Sequence, residues 1–334
     1  MAANYQTGAA TSPTDLLDKI VTFLTGQGWT SDSVAVDGTG KRAHLHKGSD
    51  YVNLRSHVNE AIWPNVQSSP NSTGIGIYMG TGYSGASGWS LQAGGPKVSG
   101  TSDTLGATMR MLSGAITAYH FFDDGNDNIA VIVERSGGLF THLGFGRSFT
   151  KAGTVTGGKY FWSAAAATYG GTTSAIMGND DQSAAPPFGI MQPYNTASSL
   201  ERGNAGFVQA DVDGFTGKWI GFSMSGTTFP TEGYTGKRGH SGIDYNTSLD
   251  IIPAGIPHYA RLVTHLVSNF NAQALMLPIF LWAERDAGGW TLLGQVPNVF
   301  VCGAVENGFA AASIQTVNGK NFMLFPHIAV RKFA

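Results

Sequence analysis

Cysteine is almost absent from this chain of 334 residues, which contains Cys302 alone. A single cysteine excludes an intrachain disulfide framework and any metal site built from several thiolates. Its neighbours in the segment VFVCGAV are apolar, so we expect Cys302 to be buried as a small hydrophobic side chain.

Charged residues are also scarce, at 13% of the chain against about 25% in ordinary soluble domains. The net charge is −2 and no basic run is longer than two residues, whereas phosphate binding requires clustered lysine and arginine. We therefore expect no nucleic-acid partner. A surface with few charges is typical of subunits that pack against other proteins, because burying fewer charges lowers the desolvation cost of an interface.

Long apolar runs are missing as well. The longest, residues 274–283, contains Pro278 and is too short to span a bilayer. The opening segment MAANYQTGAATSP lacks the basic and apolar regions of a secretory signal. We predict synthesis in a cytoplasm, no signal peptide and no membrane insertion.

Two segments resemble a nucleotide-binding or catalytic motif, but each lacks residues that the motif requires. The segment 38–42, GTGKR, lacks both the first glycine and the final hydroxyl residue of a phosphate-binding loop. The segment 239–242, GHSG, lacks the second glycine of the serine-hydrolase elbow. No pair of facing carboxylates stands out, so we predict a protein that is not an enzyme, with no catalytic residue and no cofactor.

Two segments come closer to metal sites. Residues 123–134 place Asp123, Asp127 and Glu134 at ligand positions of a calcium loop, but Gly125 and Asn128 occupy two other required positions. A weak cation site among Asp123, Asp124 and Asp127 is the alternative to a turn closed by its own side chains, which we prefer.

His44 and His46 share one face of a predicted strand and would need a third ligand, such as His57 or Asp50. A solvated strand face is the preferred interpretation. We predict no metal.

What the chain does have is glycine, with 46 residues, roughly twice the average usage of about 7%. Ser12, Pro13 and Asp15 indicate a helix start, followed by apolar residues at helical spacing. Glycine-punctuated strands dominate the rest. We predict a mainly β (α+β) fold: an N-terminal amphipathic helix and β-meander (1–62), a central β region with long Gly/Ser loops (63–200), and a C-terminal β region (201–334). The later sheets are expected to be antiparallel, of sandwich or barrel type.

The segment 119–162 contains the clearest hairpin. Residues 129–134 form a strand pattern, residues 136–138 a turn, and residues 139–145 the return strand. Its polar residues lie in the turns and its apolar residues in the strands, which is typical of a scaffold.

Aromatic residues in the loop region and the central segment are candidate interface or glycan contacts. Rings on loops can stack on sugars, but the preferred interpretation is that they anchor loops onto the protein's own sheet or fill subunit contacts. The candidates are Trp63, Tyr78, Tyr83, Trp89, Tyr160 and Trp162.

Several segments together resemble virion structural proteins of tailed bacteriophages. An aromatic block precedes a strand, a histidine precedes a GFG turn, and the last hairpin ends in Phe-Pro. The segments are YHFF at 119–122, IAVIVE at 129–134, THLGFG at 141–146, GGKYF at 157–161, LGQVP at 293–297, GKNF at 319–322 and FP at 325–326.

This resemblance implies a structural subunit of the virion, present in symmetric copies on the tail, neck or baseplate. Its expected partners are copies of itself and other tail, neck or head proteins. Two alternatives stay open: a virion-displayed module that binds a host receptor or host-surface glycan, and a decoration protein of the head surface. The resemblance implies no catalytic residue.

Overall fold

The computed structural model describes residues 2–62, 71–97, 104, 106–109, 113–136, 138–147, 150–151, 156–167, 204–212, 215–223, 234–240, 276–284, 290–302, 304–305, 308–326 and 328–333. Within these residues lie nineteen β-strands, one α-helix and one short 3-10 helix, Trp89–Leu91. The prediction of a mainly β protein is confirmed.

Helix α1 (Pro13–Gly26) begins where the sequence provides a cap. The Ser12 hydroxyl accepts a hydrogen bond from the backbone N–H of Asp15 at 3.1 Å, and proline occupies the first turn, where its missing N–H is not needed. One face of the helix is buried, because its apolar residues recur every three or four positions. The residues of this face are Leu16, Leu17, Ile20, Phe23 and Leu24.

The first sheet is an antiparallel meander over which the helix packs. Its strands follow one another in space as in sequence: β2 (Thr30–Asp37), β3 (Gly40–Lys47), β4 (Asp50–Ala61), β5 (Asn71–Gly80) and β6 (Ala107–Met109). Gly38 and Gly48 open the first two turns with φ of 58° and 59°, a conformation that glycine adopts without steric cost.

A second sheet crosses the middle of the molecule. Its antiparallel order is β1 (Asn4–Ala10), β7 (Ile116–Asp123), β8 (Ile129–Arg135), β9 (Leu139–Gly146), β11 (Thr156–Ala167), β12 (Asn204–Val212) and β13 (Phe215–Ser223). β11 also pairs with β6 and so joins the two sheets. The predicted hairpin of residues 129–145 corresponds to β8 and β9.

The remaining strands continue from β13. The order is β14 (Tyr234–His240), parallel to β13, then β15 (Met276–Glu284), β16 (Trp290–Cys302), β19 (Ile328–Arg331), β18 (Lys320–Phe325) and β17 (Ser313–Val317), all antiparallel, with the short β10 (Thr150–Lys151) also beside β16. The β17–β18 turn is Asn318–Gly319, a pair typical of two-residue hairpin turns, with φ of 49° and 72°.

The central sheet is covered on both faces. One face packs with helix α1 and the first sheet in a core that includes Phe121, Val131 and Leu143. The opposite face, with Phe122 and Ile132 among its residues, packs against apolar side chains of β15, β16, β18 and β19. Because strand residues alternate between faces, β8 is apolar along almost its whole length.

The strand in the predicted loop region is longer than expected. For residues 63–100 the sequence suggests surface loops that bear short strands, with apolar residues at 75–79, and residues 71–80 form the ten-residue strand β5, hydrogen-bonded to β4 on one side and β6 on the other. A side chain at Gly76 would overlap Ile62 and Trp89, so the glycine at this position permits close approach to the strand. Most of the Gly/Ser loop predicted at 164–205 lies outside the described residues. The segment 262–270, where the sequence suggests a short helix or a strand covered on both faces, also lies outside them.

Candidate functional site

The aromatic residues chosen from the sequence have mostly internal positions. Tyr78, Trp89, Tyr160 and Trp162 are buried, Tyr83 is half-buried, and Trp63 lies outside the described residues. The Tyr78 hydroxyl donates to the carbonyl of Trp89, and the Tyr160 hydroxyl donates to Asn128 Oδ1 at 2.7 Å. These contacts fit the interpretation in which the rings hold loops on the sheet. Tyr83 is the one of the five described rings with substantial exposure.

Tyr83 covers the polar face of β3. Its ring centroid lies 5.0 Å from that of His44, whose Nδ1 is 2.6 Å from Asn53 Oδ1. His44 is almost fully buried, and this burial lowers its pKa below the usual value, so the ring is neutral near pH 7. The expectation of a solvated face is wrong at His44, because the loop that carries Tyr83 lies over it.

The predicted absence of a histidine metal site can be compared with the positions of the candidate ligands. His46 Nδ1 lies 2.9 Å from both carboxylate oxygens of Asp32, and His57 Nε2 lies 2.8 Å from Ser72 Oγ. Asp50 is engaged elsewhere, as described below. Among the residues that the structure describes, no group of three or more His, Cys, Asp or Glu side chains is arranged to hold a metal ion.

The acidic turn of residues 123–128 is closed by its own hydrogen bonds. Asp123 Oδ1 accepts from the N–H of Gly125 at 2.8 Å, and Asp124 Oδ1 accepts from that of Asn126 at 2.7 Å. Asp124 Oδ2 accepts from the side-chain amides of Asn128 at 2.9 Å and Asn298 at 3.0 Å. This geometry is the self-closed turn preferred from the sequence. The Asn298 contact ties it to β16.

A buried ion pair joins the two sheets. Lys159 Nζ on β11 lies 3.3 Å from Asp50 Oδ1 and donates to the carbonyls of Ser49 at 2.8 Å and Gly80 at 2.7 Å. Arg147 Nε lies 3.4 Å from the other Asp50 oxygen. The buried ammonium group of Lys159 is therefore held by two carbonyl acceptors and one carboxylate, as a buried charge requires. These contacts connect β11 to the first sheet.

A second buried cation shapes the β2–β3 hairpin. Arg55 donates from Nε to Asp37 Oδ1 at 3.2 Å and from Nη2 to Glu60 Oε1 at 2.9 Å. Glu60 Oε2 in turn accepts from the N–H and hydroxyl of Thr39, at 3.0 and 2.8 Å. The hairpin tip is thus fixed against β4 by charge-assisted hydrogen bonds.

Strand β2 lies at the edge of the first sheet and exposes two apolar side chains. Among the described residues it pairs with β3 alone, so its outer edge carries unpaired backbone groups. Val36 is 80% exposed and Val34 42% exposed, both on the side of the sheet that faces helix α1. Exposed edge strands with apolar side chains are sites where another chain adds a strand. We therefore take β2 as the candidate functional site.

The sequence predicts the β-meander that contains β2 but not the exposure of this strand. The alternation Val34–Ala35–Val36 is the same in a strand covered by a neighbour and in one that is open. The only signal for an edge position is its place as the first strand of a meander, and a meander's first strand is often covered by a later one.

The comparisons with known proteins assign no family to this chain. No protein-family model matches the chain, and a search of curated proteins finds no similar sequence. Across the described residues, no helix combines the length and the apolar character needed to cross a membrane.

Proposed function

We propose that this protein is a non-enzymatic structural subunit of a tailed phage virion, packed in multiple copies on the tail, neck or baseplate. The observation that supports the proposal is the edge of β2, where exposed valines flank backbone groups that have no strand partner among the described residues. An edge of this kind is an aggregation hazard for a free monomer but a joining surface for a subunit.

The interior supports the same proposal. The buried charges of Lys159 and Arg55 are occupied in joining strands, and the neutral His44 is held by Asn53. Groups used in this way fix the shape of a scaffold. Charged residues at 13% of the chain also reduce the cost of covering its surface.

The experiment is quantitative mass spectrometry of particles purified by density gradient from the phage that encodes the chain. We expect its peptides at a fixed copy number that is a multiple of the tail or neck symmetry. Cross-links to portal, tail or baseplate proteins identify the neighbours, and cross-links to the major head protein indicate the decoration role. Loss of the protein from particles during purification contradicts the proposal.

A glycan-binding module displayed on the virion is the second candidate, and Tyr83 is the observation that favours it. The half-buried ring lies in a loop with exposed neighbours, over the polar face of β3. A planar ring held by a buried histidine provides a stacking surface for a sugar.

Tyr83→Ala separates the two candidates. If the protein is a glycan binder, the variant assembles into particles normally but adsorption to host cells falls sharply. Tyr51→Ala is the matched control, because Tyr51 is also half-buried and stacks on a histidine, His46, at 5.1 Å. Unchanged adsorption with Tyr83→Ala argues against glycan binding through this ring.

A further inference from the structure

The direction of the free hydrogen-bonding groups on β2 follows from its hairpin. A two-residue turn joins Asp37 to its partner Gly40, and in such hairpins the flanking pair is hydrogen-bonded. Hydrogen-bonded and non-hydrogen-bonded pairs alternate along an antiparallel ladder. Asp37, Ala35 and Ser33 therefore direct their N–H and C=O groups toward β3. Val34 and Val36 direct theirs outward, to the open edge.

This pattern is complementary to itself. If a second β2 lies antiparallel with Ala35 opposite Ala35, the Val34 of each copy is opposite the Val36 of the other, and these are the residues with outward groups. Each such pair exchanges two backbone hydrogen bonds, and the valine side chains meet on one face. The shifted register, with Val34 opposite Val34, places Val36 against Asp32.

Charge favours the same register. With Ala35 on the axis, Asp37 is opposite Ser33, whose hydroxyl can donate to the carboxylate, and Asp32 lies beyond the paired residues, where the register of β2 shifts. No aspartate faces another. In each copy Asp37 is also neutralised by Arg55 and Asp32 lies against His46, so neither end of the strand repels its partner.

We propose that β2 pairs with the β2 strand of a second copy of this chain, antiparallel and about a two-fold axis through Ala35. This axis is perpendicular to the sheet and leaves both helices α1 on the same side. The four valines form one apolar patch there, and the two first sheets become one continuous sheet.

The size of the contact sets its strength. About five residues from each copy take part, whereas a standard stable interface uses roughly 20–30 residues a side. The strand pair alone is therefore reversible in solution. It becomes persistent where other contacts already hold copies together, since the second contact is then intramolecular. The inference thus rests on the proposed function, in which many copies share one particle.

Cysteine cross-linking tests the register directly. Ala35 occupies a non-hydrogen-bonded position in the proposed pair, where opposite Cα atoms are about 4.5 Å apart, within the range of a disulfide. The native Cys302 is buried, so the wild-type chain supplies a low background. Under mild oxidation, we expect purified Ala35→Cys to form a disulfide-linked dimer several-fold faster than Ile314→Cys. Ile314 is the matched control because it is 44% exposed on the edge strand β17.

A mixed experiment provides the second measurement. Val34→Cys and Val36→Cys should each dimerise at the control rate when alone, and should form a heterodimer rapidly when mixed. Rapid homodimers of Val34→Cys would establish the shifted register and overturn the proposed one. Rates at the control level for all variants, with unfolding midpoints equal to wild type, would overturn strand pairing and leave other partners for this edge.

The strand pairing and the proposed function can be tested independently. A protein found in purified particles without Ala35→Cys cross-linking retains its proposed function and loses this inference. If Ala35→Cys cross-links but the protein is absent from particles, the strand pairing is supported and the proposed function is contradicted.

Discussion

Replacing His120 with phenylalanine should make the free energy of unfolding depend less on pH between pH 7 and pH 4. His120 lies on β7, buried, with Nδ1 2.8 Å from the Tyr5 hydroxyl and its ring 5.1 Å from that of Phe325. Its Nε2 is buried and has no hydrogen-bond partner among the described residues. Burial therefore lowers the pKa of His120 from 6.5 to about 4.

The sign follows from proton binding. Between pH 6.5 and pH 4 the unfolded chain binds a proton at this residue and the folded chain does not, so the free energy of unfolding falls as the pH falls. At 1.36 kcal/mol for each pKa unit, the loss is about 2 kcal/mol at pH 5 and about 3 kcal/mol at pH 4. Above pH 7 the contribution is constant.

Urea denaturation of both proteins at pH 4, 5, 6 and 7 measures the effect. The difference between wild type and His120→Phe isolates the residue. His44, whose pKa burial also lowers, and Asp15 and Glu60, whose carboxyl pKa values hydrogen bonds lower, remain in both proteins. Parallel curves over this range would refute the reasoning, because they would mean that His120 is hydrated and that β18 does not cover it.

Three further substitutions test an ion pair and the space around two glycines. Lys159→Met leaves the Asp50 carboxylate buried with only an exposed arginine nearby, so we expect the free energy of unfolding to fall by about 3 kcal/mol. Adding Asp50→Asn should restore most of this loss, because the buried charge is then removed. Equal urea midpoints for the single and the double variant would contradict the ion pair. Gly144→Ala places a methyl group in the Trp162 indole ring and should cost about 1–3 kcal/mol. Gly26→Ala, with nothing within 4 Å at the end of the helix, should instead stabilise by about 0.5–1 kcal/mol, and thermal denaturation should show the opposite signs.

Local features of the fold were accessible from the sequence because they depend on neighbouring residues. Asn318–Gly319 specifies a two-residue turn through its backbone preferences, and Ser12 specifies a helix start through one hydrogen bond. Neither requires knowledge of what lies elsewhere in the chain.

Long-range features were not accessible, for a physical reason that Gly76 illustrates. A glycine that relieves strain in a turn and a glycine that admits Trp89 against a strand are the same letter, and only the packed neighbour distinguishes them. The pairing of β1 with β7, across more than one hundred residues, likewise leaves no local pattern.

The candidate site shows the same limit. The sequence offered six aromatic residues as possible interface or glycan contacts. Of these, Tyr160 and Trp162 occupy the interior, and the sequence could not separate the two roles because stacking on a ligand and filling a core require the same side chains. The exposure of Val36 depends on whether another strand covers β2, and within the part of the chain that the structure describes none does. No residue near Val36 in the sequence encodes this.

Because one face of the central sheet is covered by strands late in the sequence, this face stays open in a newly made chain until those strands have been synthesised. Phe122 on β7 is covered in part by Phe325, whose ring centroid lies 6.3 Å away, yet the two residues leave the ribosome far apart in time. At about 5–20 residues per second, the roughly 200 residues between them take about 10–40 s to translate. During that interval one face of a highly apolar sheet is open to water and to other nascent chains. Slower synthesis should therefore lower the yield of folded protein unless a chaperone shields this face.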